Sequence, residues 1–461
     1  MKIPHWPIYT GPNKDFENAI PRTKYILSKL GNPHLKLKNV IHITGTKGKG
    51  STALYISNIL IANGYKVNTY TSPHIYECNE RILLNGKKIT DDELYEATEA
   101  VRFVCEENCF DNPFNLNELI EPAMFEALTC SAFLEMAKNN ADFNVIEVGM
   151  GAINDATNVF DDNPPVACVF TPIHLDHTKF LGNHIEEVAF KKSFLIKKGV
   201  QNVILSSQAQ EAKTVLTNVA KQLNIKNILS YGTDYEVFRD EKSNAPVYES
   251  KTFDTSFSFQ KPNMVGDYQF INAGCAITTY LSLQKSRIIK NATIDAINIG
   301  IKNTFNIVRM QKVNTGKLFK KLPVGSLFYI DGAHNQLAAH ALAGWINDFK
   351  QTHENYKICV AVARTKGANN AVFLQEMLDL TSKKPIIDLL IATRANLESI
   401  PEPPEIIADA GNNLGFNCKI AYNIESVLSS ATEMYKNEKI LLICTGSLYI
   451  ARDVLEASNH V

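Results

Sequence analysis

The sequence lacks the features typical of membrane-spanning, secreted disulfide-rich or nucleic-acid-binding proteins. No apolar run approaches the ~18 residues that a membrane-spanning helix needs, and the N-terminal segment has prolines instead of the apolar core of a secretory signal. The nine cysteines are scattered with no C-x-x-C pair, which favours reduced, mostly buried thiols and a cytoplasmic location. With 47 Lys+Arg against 48 Asp+Glu, the net charge of -1 predicts neither a nucleic-acid partner nor a membrane surface.

Internal repeats and low-complexity tracts are also absent from the sequence. The 461 residues predict two or three domains, and an apolar content of 45% is typical of a globular protein with large cores. We expect a monomer whose partners are small molecules. Anionic substrates would have to be held by local sites, because the overall charge is close to zero.

A glycine-rich loop between a strand and a helix is the most informative stretch of the chain. Val40–Thr44 reads as a short buried strand, residues 45–51 read GTKGKGS, and a helical pattern then continues to Gly64. In this context glycines let backbone N–H groups surround phosphate oxygens, and the helix N-terminus favours an anion. Lys49 would neutralise the β and γ phosphates of a nucleotide, and Ser51 would be a ligand of Mg2+.

The spacing of this loop differs from the common phosphate-loop pattern. Two residues instead of four separate Gly45 from Gly48, and Gly50 lies before Ser51. An ordinary glycine-rich turn between a strand and a helix therefore remains an alternative on this pattern alone. The residues expected to bind the nucleotide here are Gly45, Thr46, Gly48, Lys49, Gly50 and Ser51.

Two further strands end in side chains that suit a metal ion. Phe143–Val148 is a continuous apolar run that carries Glu147 at its end, and Val166–Thr171 leads into an Asp-His pair that contains His177. Ligand chemistry in open α/β sheets lies at the carboxyl ends of strands, so we expect Glu147 and His177 to hold Mg2+. The alternatives are a surface acid and a histidine without a ligand role.

The loop TGTKGKGS resembles the G-T-x-G-K-G-S loop of Mur-type ATP-dependent amide ligases, and in particular that of the folylpolyglutamate and dihydrofolate synthases. Further matches to these synthases span almost the whole chain. They are S-P-H with E-R-I within 72–82, F-E at 125–126, D-A-T-N at 155–158, D-H at 176–177, Gln269 with Asn272, D-G-A-H-N at 331–335 and G-S-L-Y at 446–449.

The resemblance implies roles for several of the matching residues. Ser72 corresponds to a hydroxyl ligand of Mg2+, and Lys192 to a lysine whose carbamylated form binds a second Mg2+. Gln269 and Asn272 correspond to residues near the adenine of ATP. Glu126 corresponds to a residue for which packing is the expected role, with a direct role as the alternative.

The resemblance also implies roles for residues near and beyond a domain boundary. Arg309 would meet the ATP phosphates, while Asp331 and His334 would close over ATP and the incoming glutamate. Lys49, Lys192, Asp331 and His334 are therefore the expected catalytic residues.

Several positions depart from the family pattern. They are Lys47 in place of asparagine, Ile153 in place of arginine, Lys191 in place of glutamate, and Ala152, Phe194, Tyr268 and Gly367. Lys191 is the departure with the clearest consequence, because a second positive charge beside Lys192 would weaken a metal site there. We therefore expect a high Mg2+ requirement.

The resemblance implies two α/β domains with ATP and substrates in the cleft between them. Residues 1–304 would form a P-loop ATPase-like domain with a mainly parallel sheet, and residues 305–461 a smaller Rossmann-like domain, which has no dinucleotide fingerprint. The implied reaction joins L-glutamate to dihydropteroate, to the glutamate tail of tetrahydrofolate, or to both, through an acyl phosphate formed with ATP. The alternatives are a weakened paralogue that only binds nucleotide or folate, a Mur-type ligase of peptidoglycan precursors, and a P-loop ATPase coupled to motion.

Overall fold

The computed structural model divides into two compact units. Met1–Asn263 and Asp267–Phe305 belong to the first, and Met264–Gly266 and Asn306–Val461 belong to the second. The structure describes residues 16–74, 77–107, 121–176, 178–243, 245–264, 266–305, 310–314, 316–379, 382–396 and 400–458. None of the helices in these ranges is both long enough and apolar enough to cross a membrane.

The first unit is built on a large mixed sheet. Its strands are β1 (Val40–Thr44), β2 (Val67–Tyr70), β3 (Ile82–Leu84), β4 (Lys87–Lys88), β5 (Phe143–Glu147), β6 (Ala167–Phe170), β7 (Asn202–Leu205) and β8 (Asn227–Ser230). They lie in the order β4-β3-β2-β5-β1-β6-β7-β8, and only the β2–β3 and β3–β4 pairs are antiparallel. The central strands β1, β5 and β6 are buried throughout, as expected for a parallel sheet covered on both faces.

Helices connect the strands of this sheet and cover its faces. They are α1 (Ala19–Lys29), α2 (Lys49–Ala62), α3 (Asp91–Glu107), α4 (Met124–Asn139), α5 (Thr178–Leu181), α6 (Ile185–Ser193), α7 (Gln210–Gln222), α8 (Tyr268–Lys285) and α9 (Ile294–Asn303). Short 3-10 helices lie at Phe16–Asn18, Pro33–Lys36 and Cys78–Arg81. Helix α3 begins with a capping box, in which Thr90 N–H donates to Glu93 Oε2 at 2.8 Å and Glu93 N–H donates to Thr90 Oγ1 at 3.2 Å.

A small antiparallel sheet follows β8 in the first unit. It consists of β9 (Tyr235–Arg239), β10 (Pro246–Ser250) and β11 (Thr255–Ser258), with β10 in the centre. Tyr248 on β10 is fully buried, and its hydroxyl is 3.0 Å from Thr278 Oγ1 on α8. The polar stretch after β8 therefore forms a small peripheral sheet.

The second unit has its own sheet, with mainly parallel strands. The strands are β12 (Gln311–Lys312), β13 (Leu327–Ile330), β14 (Tyr356–Val362), β15 (Leu389–Ala392), β16 (Cys418–Ile420) and β17 (Lys439–Thr445), in the order β12-β13-β17-β14-β15-β16. The helices are α10 (Gly316–Phe319), α11 (Gln336–Thr352), α12 (Asn370–Gln375), α13 (Pro404–Asn413), α14 (Ile424–Met434) and α15 (Leu448–Ala457). Only the short β12 pairs antiparallel, with β13. Two α/β units with largely parallel sheets confirm the fold class expected from the sequence.

Candidate active site

The glycine-rich loop connects β1 to α2 at the carboxyl edge of the large sheet. Gly48, the residue before α2, has a φ of +82°, and a Cβ there would lie 2.4 Å from Oδ1 of Asn272. A Cβ at Gly45 would lie 2.0 Å from Oγ1 of Thr171. Gly45 also has a positive φ, of +149°, so both positions require glycine for the backbone conformation and for the close approach of neighbouring side chains.

The loop backbone rests on the segment that follows β6. The N–H groups of Thr46 and Lys47 both donate to the carbonyl oxygen of Pro172, at 2.9 and 3.3 Å. The N–H of His174 donates to Oγ1 of Thr46 at 3.0 Å. The Thr46 side chain therefore holds the loop in place, and the segment after β6 sets the position of the loop.

Lys49, Glu147 and Ser72 meet at the ends of adjacent strands. Glu147 ends β5, which pairs with β1, and its Oε1 lies 4.0 Å from Nζ of Lys49. Its Oε2 accepts a hydrogen bond of 2.9 Å from the backbone N–H of Ser72, which follows β2. The structure thus brings together the phosphate-loop cation and two of the residues that the sequence predicts as metal ligands.

Ser51, Gln269 and Asn272 form a second group beside the loop. Ser51 lies in the first turn of α2 and is buried, and Nε2 of Gln269 is 3.5 Å from its Oγ. Nδ2 of Asn272 donates to Oε1 of Gln269 at 3.1 Å. Because Asn272 also lies against Gly48, these two amides of α8 are packed on the phosphate loop itself.

Lys192 points into the same loop from α6. Its side chain is buried, and Nζ donates to the carbonyl oxygen of Gly45 at 2.9 Å. Burial, and then the positive charge of Lys49, lower the pKa of Lys192 to about 7, although the negative charges of Asp176 and Asp155 oppose this shift. The neutral amine form of Lys192 is therefore populated near pH 7.

The neighbouring Lys191 extends to a different place. Its Nζ donates to the carbonyl oxygen of Phe180 in α5, at 2.7 Å. The ammonium of Lys191 is thus held at α5, whereas that of Lys192 is held at the phosphate loop. The expected weakening of a metal site by Lys191 stays a prediction.

The D-A-T-N segment at 155–158 shapes the turn that follows Glu147. Asp155 is buried, and its two carboxylate oxygens accept hydrogen bonds from Met150 N–H at 2.8 Å and from Thr157 N–H at 3.0 Å. Thr157 Oγ1 donates its proton to Asp155 Oδ1 at 2.5 Å. Thr157 Oγ1 must therefore accept in its 2.9 Å contact with His42, and Nε2 of His42 is the protonated ring nitrogen. Complete burial lowers the pKa of His42 to about 3, which keeps this ring neutral.

Glu126 has a structural contact that accounts for its burial. Its carboxylate accepts two hydrogen bonds from the Arg22 guanidinium, from Nε at 2.6 Å and from Nη2 at 2.9 Å, and both side chains are buried. The Ala123 N–H also donates to Glu126 at 3.3 Å, at the start of α4. These contacts give Glu126 a structural role in holding Arg22, and the choice between packing and a direct role stays a prediction.

Asp331 and His334 lie in the second unit, directly after β13. The carboxylate of Asp331 is buried and accepts 2.9 Å hydrogen bonds from the N–H groups of Met310 and Ala333. The His334 ring is exposed, and its Nδ1 is 2.9 Å from the carbonyl oxygen of Gly332, which assigns the proton to Nδ1. Asp331 thus shapes the loop that presents His334.

Two predicted site residues, His177 and Arg309, lie outside the described residues. Within the ranges that the structure covers, no three His, Cys, Asp or Glu side chains come together as a metal cluster. Among those covered residues, the predicted metal ligands are two serines, one carboxylate and a lysine.

One side chain at this edge of the sheet was not predicted. Gln208 follows β7 and forms hydrogen bonds with the segment after β6. This is the segment to which the phosphate loop is hydrogen-bonded. A single glutamine after a strand forms no recognisable motif, so no sequence signal could have identified it. Only the folded chain shows what it contacts.

Comparisons with known proteins match both parts of the chain. Residues 43–280 match the Mur ligase middle domain, and residues 320–457 match the dihydrofolate synthetase C-terminal domain. A dihydrofolate synthetase of Saccharomyces cerevisiae is 27% identical over 463 residues, covering 96% of this chain and 98% of the relative. A dihydrofolate synthase/folylpolyglutamate synthase of Bacillus subtilis is 31% identical over 350 residues, covering 76% of each chain.

Solved structures agree with these matches. The folylpolyglutamate synthase of Thermotoga maritima has a TM-score of 0.76 and 26% identity, covering 95% of this chain and 93% of that chain. A complex of FPGS with AMPPCP has a TM-score of 0.76 and 27% identity, covering 95% of both chains. The similarity therefore includes both units, and one of the similar proteins binds an ATP analogue.

Proposed function

Because the chain belongs to the Mur ligase family, among its dihydrofolate and folylpolyglutamate synthases, we propose that it joins L-glutamate to dihydropteroate at the expense of ATP. It is an ATP-dependent carboxylate–amine ligase. Addition of glutamate to the tail of tetrahydrofolate is the second activity of the proposal. The observation that carries it is the glycine-rich loop, whose Lys49 faces Glu147 across adjacent strand ends.

Dihydropteroate comes first in this proposal because of the second unit. That unit matches the dihydrofolate synthetase C-terminal domain, and a dihydrofolate synthetase is also among the relatives that align with nearly the whole chain. The relative that carries both names aligns with a smaller share of the chain. These matches support glutamate addition to a pteroate carboxylate as the principal activity.

The proposed reaction has two steps. A carboxylate oxygen of the pteroate attacks the γ-phosphorus of ATP, and ADP leaves with the electrons of the broken phosphorus–oxygen bond. The amino group of glutamate then attacks the acyl carbon, the amide forms, and phosphate leaves while the amine loses a proton. Lys49 and the loop N–H groups other than those of Thr46 and Lys47 would stabilise the negative charge that accumulates on the phosphate oxygens.

The residues beside the loop fit Mg2+. Ser51 and Ser72 supply hydroxyl oxygens and Glu147 a buried carboxylate, and a hard divalent cation prefers oxygen ligands of this kind. His177 completes the proposed set from the sequence. When bound, Mg2+ neutralises phosphate charge and polarises the transferred phosphoryl group.

Lys192 is the proposed ligand of a second Mg2+ in its carbamylated form. The carbamate forms when Nζ attacks the carbon of CO2 and loses a proton. The buried position beside the Gly45 carbonyl supports this role, because a carboxylate-like group there would lie next to the phosphate loop. The family resemblance supplies the modification itself.

The remaining roles rest on the resemblance. We assign Arg309 to the ATP phosphates, Asp331 and His334 to ATP and the incoming glutamate, and Gln269 and Asn272 to the nucleotide. The proposed cytoplasmic location is supported by the free thiols of the eight described cysteines, of which six are buried. We also propose that the protein acts as a monomer.

The test is turnover with defined substrates. Purified protein is incubated with ATP, Mg2+ and L-glutamate, together with dihydropteroate in one reaction and tetrahydrofolate in another, and ADP and the glutamylated product are measured. We expect one ADP for each dihydrofolate formed, and a lower kcat/KM with tetrahydrofolate. Nucleotide binding without ADP formation in either reaction would contradict the proposal.

A further inference from the structure

Gln208 lies between the end of β7 and the start of α7. Its side-chain Nε2 donates to two consecutive carbonyl oxygens, those of Phe170 at 3.1 Å and Thr171 at 2.9 Å. Its Oε1 accepts a hydrogen bond of 3.1 Å from the N–H of Ile173. One half-buried amide therefore forms three hydrogen bonds with the backbone of three residues within the stretch 170–173.

These contacts fix the orientation of the Gln208 amide. Nitrogen can donate to the two carbonyl oxygens and oxygen can accept from the N–H, whereas the flipped amide would place like groups opposite each other. Phe170, Thr171 and Ile173 are themselves buried. Removing the Gln208 amide would leave the buried Thr171 carbonyl and Ile173 N–H without this partner, which is costly enough to make the segment shift. The Phe170 carbonyl would still accept a hydrogen bond from the Ser206 N–H.

The segment that Gln208 holds is the one on which the phosphate loop rests. Pro172, in the middle of this segment, accepts the hydrogen bonds of Thr46 and Lys47. Thr171 approaches Gly45 so closely that a Cβ on the glycine would lie 2.7 Å from the Thr171 carbonyl oxygen. The phosphate loop thus contacts residues 171–174, and Gln208 is hydrogen-bonded to residues 170, 171 and 173 of the same segment.

We propose that Gln208 is a positioning residue for nucleotide binding, which holds residues 170–173 in the place that the phosphate loop requires. The proposal rests on the proposed function, because it assumes that the loop binds ATP. Gln208 acts on the nucleotide indirectly, through residues 170–173 and the phosphate loop that contacts them. Its loss would therefore weaken the binding of the ATP phosphates without changing the groups that bind the pteroate or glutamate.

Asn202 provides a matched control at the other end of the same strands. It begins β7, and its side chain also forms three hydrogen bonds: Nδ2 donates to the Val166 carbonyl oxygen at 3.0 Å, and Oδ1 accepts from Asn227 at 3.2 Å and from Ser286 at 2.9 Å. Val166 precedes β6, whereas Gln208 contacts the end of β6. The two amides thus hold opposite ends of the same strand pair.

The experiment compares Gln208→Met with Asn202→Leu, which are near-isosteric changes that each remove three hydrogen bonds. The Kd for AMPPCP, the KM for each substrate and the Tm are measured for the full chain. Gln208→Met should weaken AMPPCP binding and raise the KM for ATP by about tenfold, with the other KM values unchanged. Asn202→Leu should lower the Tm with less than about a twofold effect on AMPPCP.

Equal AMPPCP affinities of wild type and Gln208→Met would overturn the inference, and so would an equal loss in Asn202→Leu. If Gln208→Met does not fold, Gln208→Asn gives the same test, because its shorter amide cannot reach all three backbone groups. It should fold and bind AMPPCP more weakly than wild type. Wild-type protein that does not bind AMPPCP would instead contradict the proposed function.

Discussion

Nζ of Lys49 lies 4.0 Å from Oε1 of Glu147, so the cation of the phosphate loop and the acid of the neighbouring strand face each other. β1 and β5 are paired in parallel, which brings the loop after β1 next to the end of β5. Both side chains are mostly buried, so their charges are screened less than surface charges. This relationship places the proposed phosphate-binding cation next to the proposed metal-binding acid.

Lys49→Ala should abolish most turnover while the fold is kept. Removing a cation that stabilises charge on the transferred phosphoryl group costs about 100-fold or more in kcat. Lys47→Ala is the matched control in the same loop, and its effect should be much smaller because Lys47 is not the lysine of the family pattern. Unchanged kcat in Lys49→Ala would show that the loop does not bind the reacting phosphates.

Glu147→Ala and His177→Ala should each raise the Mg2+ concentration needed for half-maximal activity, by about tenfold or more. The double variant should be less affected than the product of the two single effects, because both residues are proposed to bind one ion. Asp92→Ala, at an exposed acid of α3, is the control. Unaltered Mg2+ dependence in all variants would assign Glu147 and His177 to structural roles.

Glu126→Ala should destabilise the fold by about 3–5 kcal/mol, because it leaves the buried Arg22 guanidinium without its carboxylate partner. The free energy of unfolding in urea measures this loss. The double variant Arg22→Met, Glu126→Leu should recover much of it, since no buried charge then remains at this position. A large loss of kcat at a temperature where Glu126→Ala is folded would instead support a direct role.

Acid should destabilise the wild type partly through His42. Its pKa is about 3 in the folded protein against an ordinary value of 6.5, so between these pH values the unfolded chain binds a proton that the folded chain does not. The contribution of this group to the free energy of unfolding is complete above pH 6.5. It is lost as the pH is lowered from 6.5 towards 3, by at most about 1.4 kcal/mol per pH unit. His42→Gln keeps a donor for Thr157 but cannot titrate, so its free energy of unfolding should depend less on pH across this range. Equal pH dependence in the two proteins would contradict the assignment.

The elements nearest the site could be predicted because their signals are local. The apolar run of Val40–Thr44 forms β1 as predicted, and Gly45 and Gly48 have the close contacts that only glycine allows. The strands Tyr356–Val362 and Lys439–Thr445 likewise coincide with apolar runs in the sequence. A short apolar run between turn residues is enough to predict a buried strand.

The contacts that hold the site in place could not be predicted in the same way. Arg22 and Glu126 are 104 residues apart, and Gln208 contacts a segment that ends 35 residues before it. A single sequence does not indicate which distant side chains will meet, because that depends on how the strands order in the sheet. The hydrogen bond from the Lys191 ammonium to the Phe180 carbonyl oxygen is a further example.

The transfer of an oxygen atom from the pteroate carboxylate to phosphate tests the central claim most directly. Dihydropteroate labelled with 18O in its carboxylate is incubated with the protein, ATP, Mg2+ and L-glutamate, and the released phosphate is analysed by mass spectrometry. If the carboxylate is activated as an acyl phosphate, each phosphate released carries one 18O atom and the other stays in the amide. Formation of dihydrofolate with unlabelled phosphate, or with AMP and pyrophosphate in place of ADP, would contradict the account.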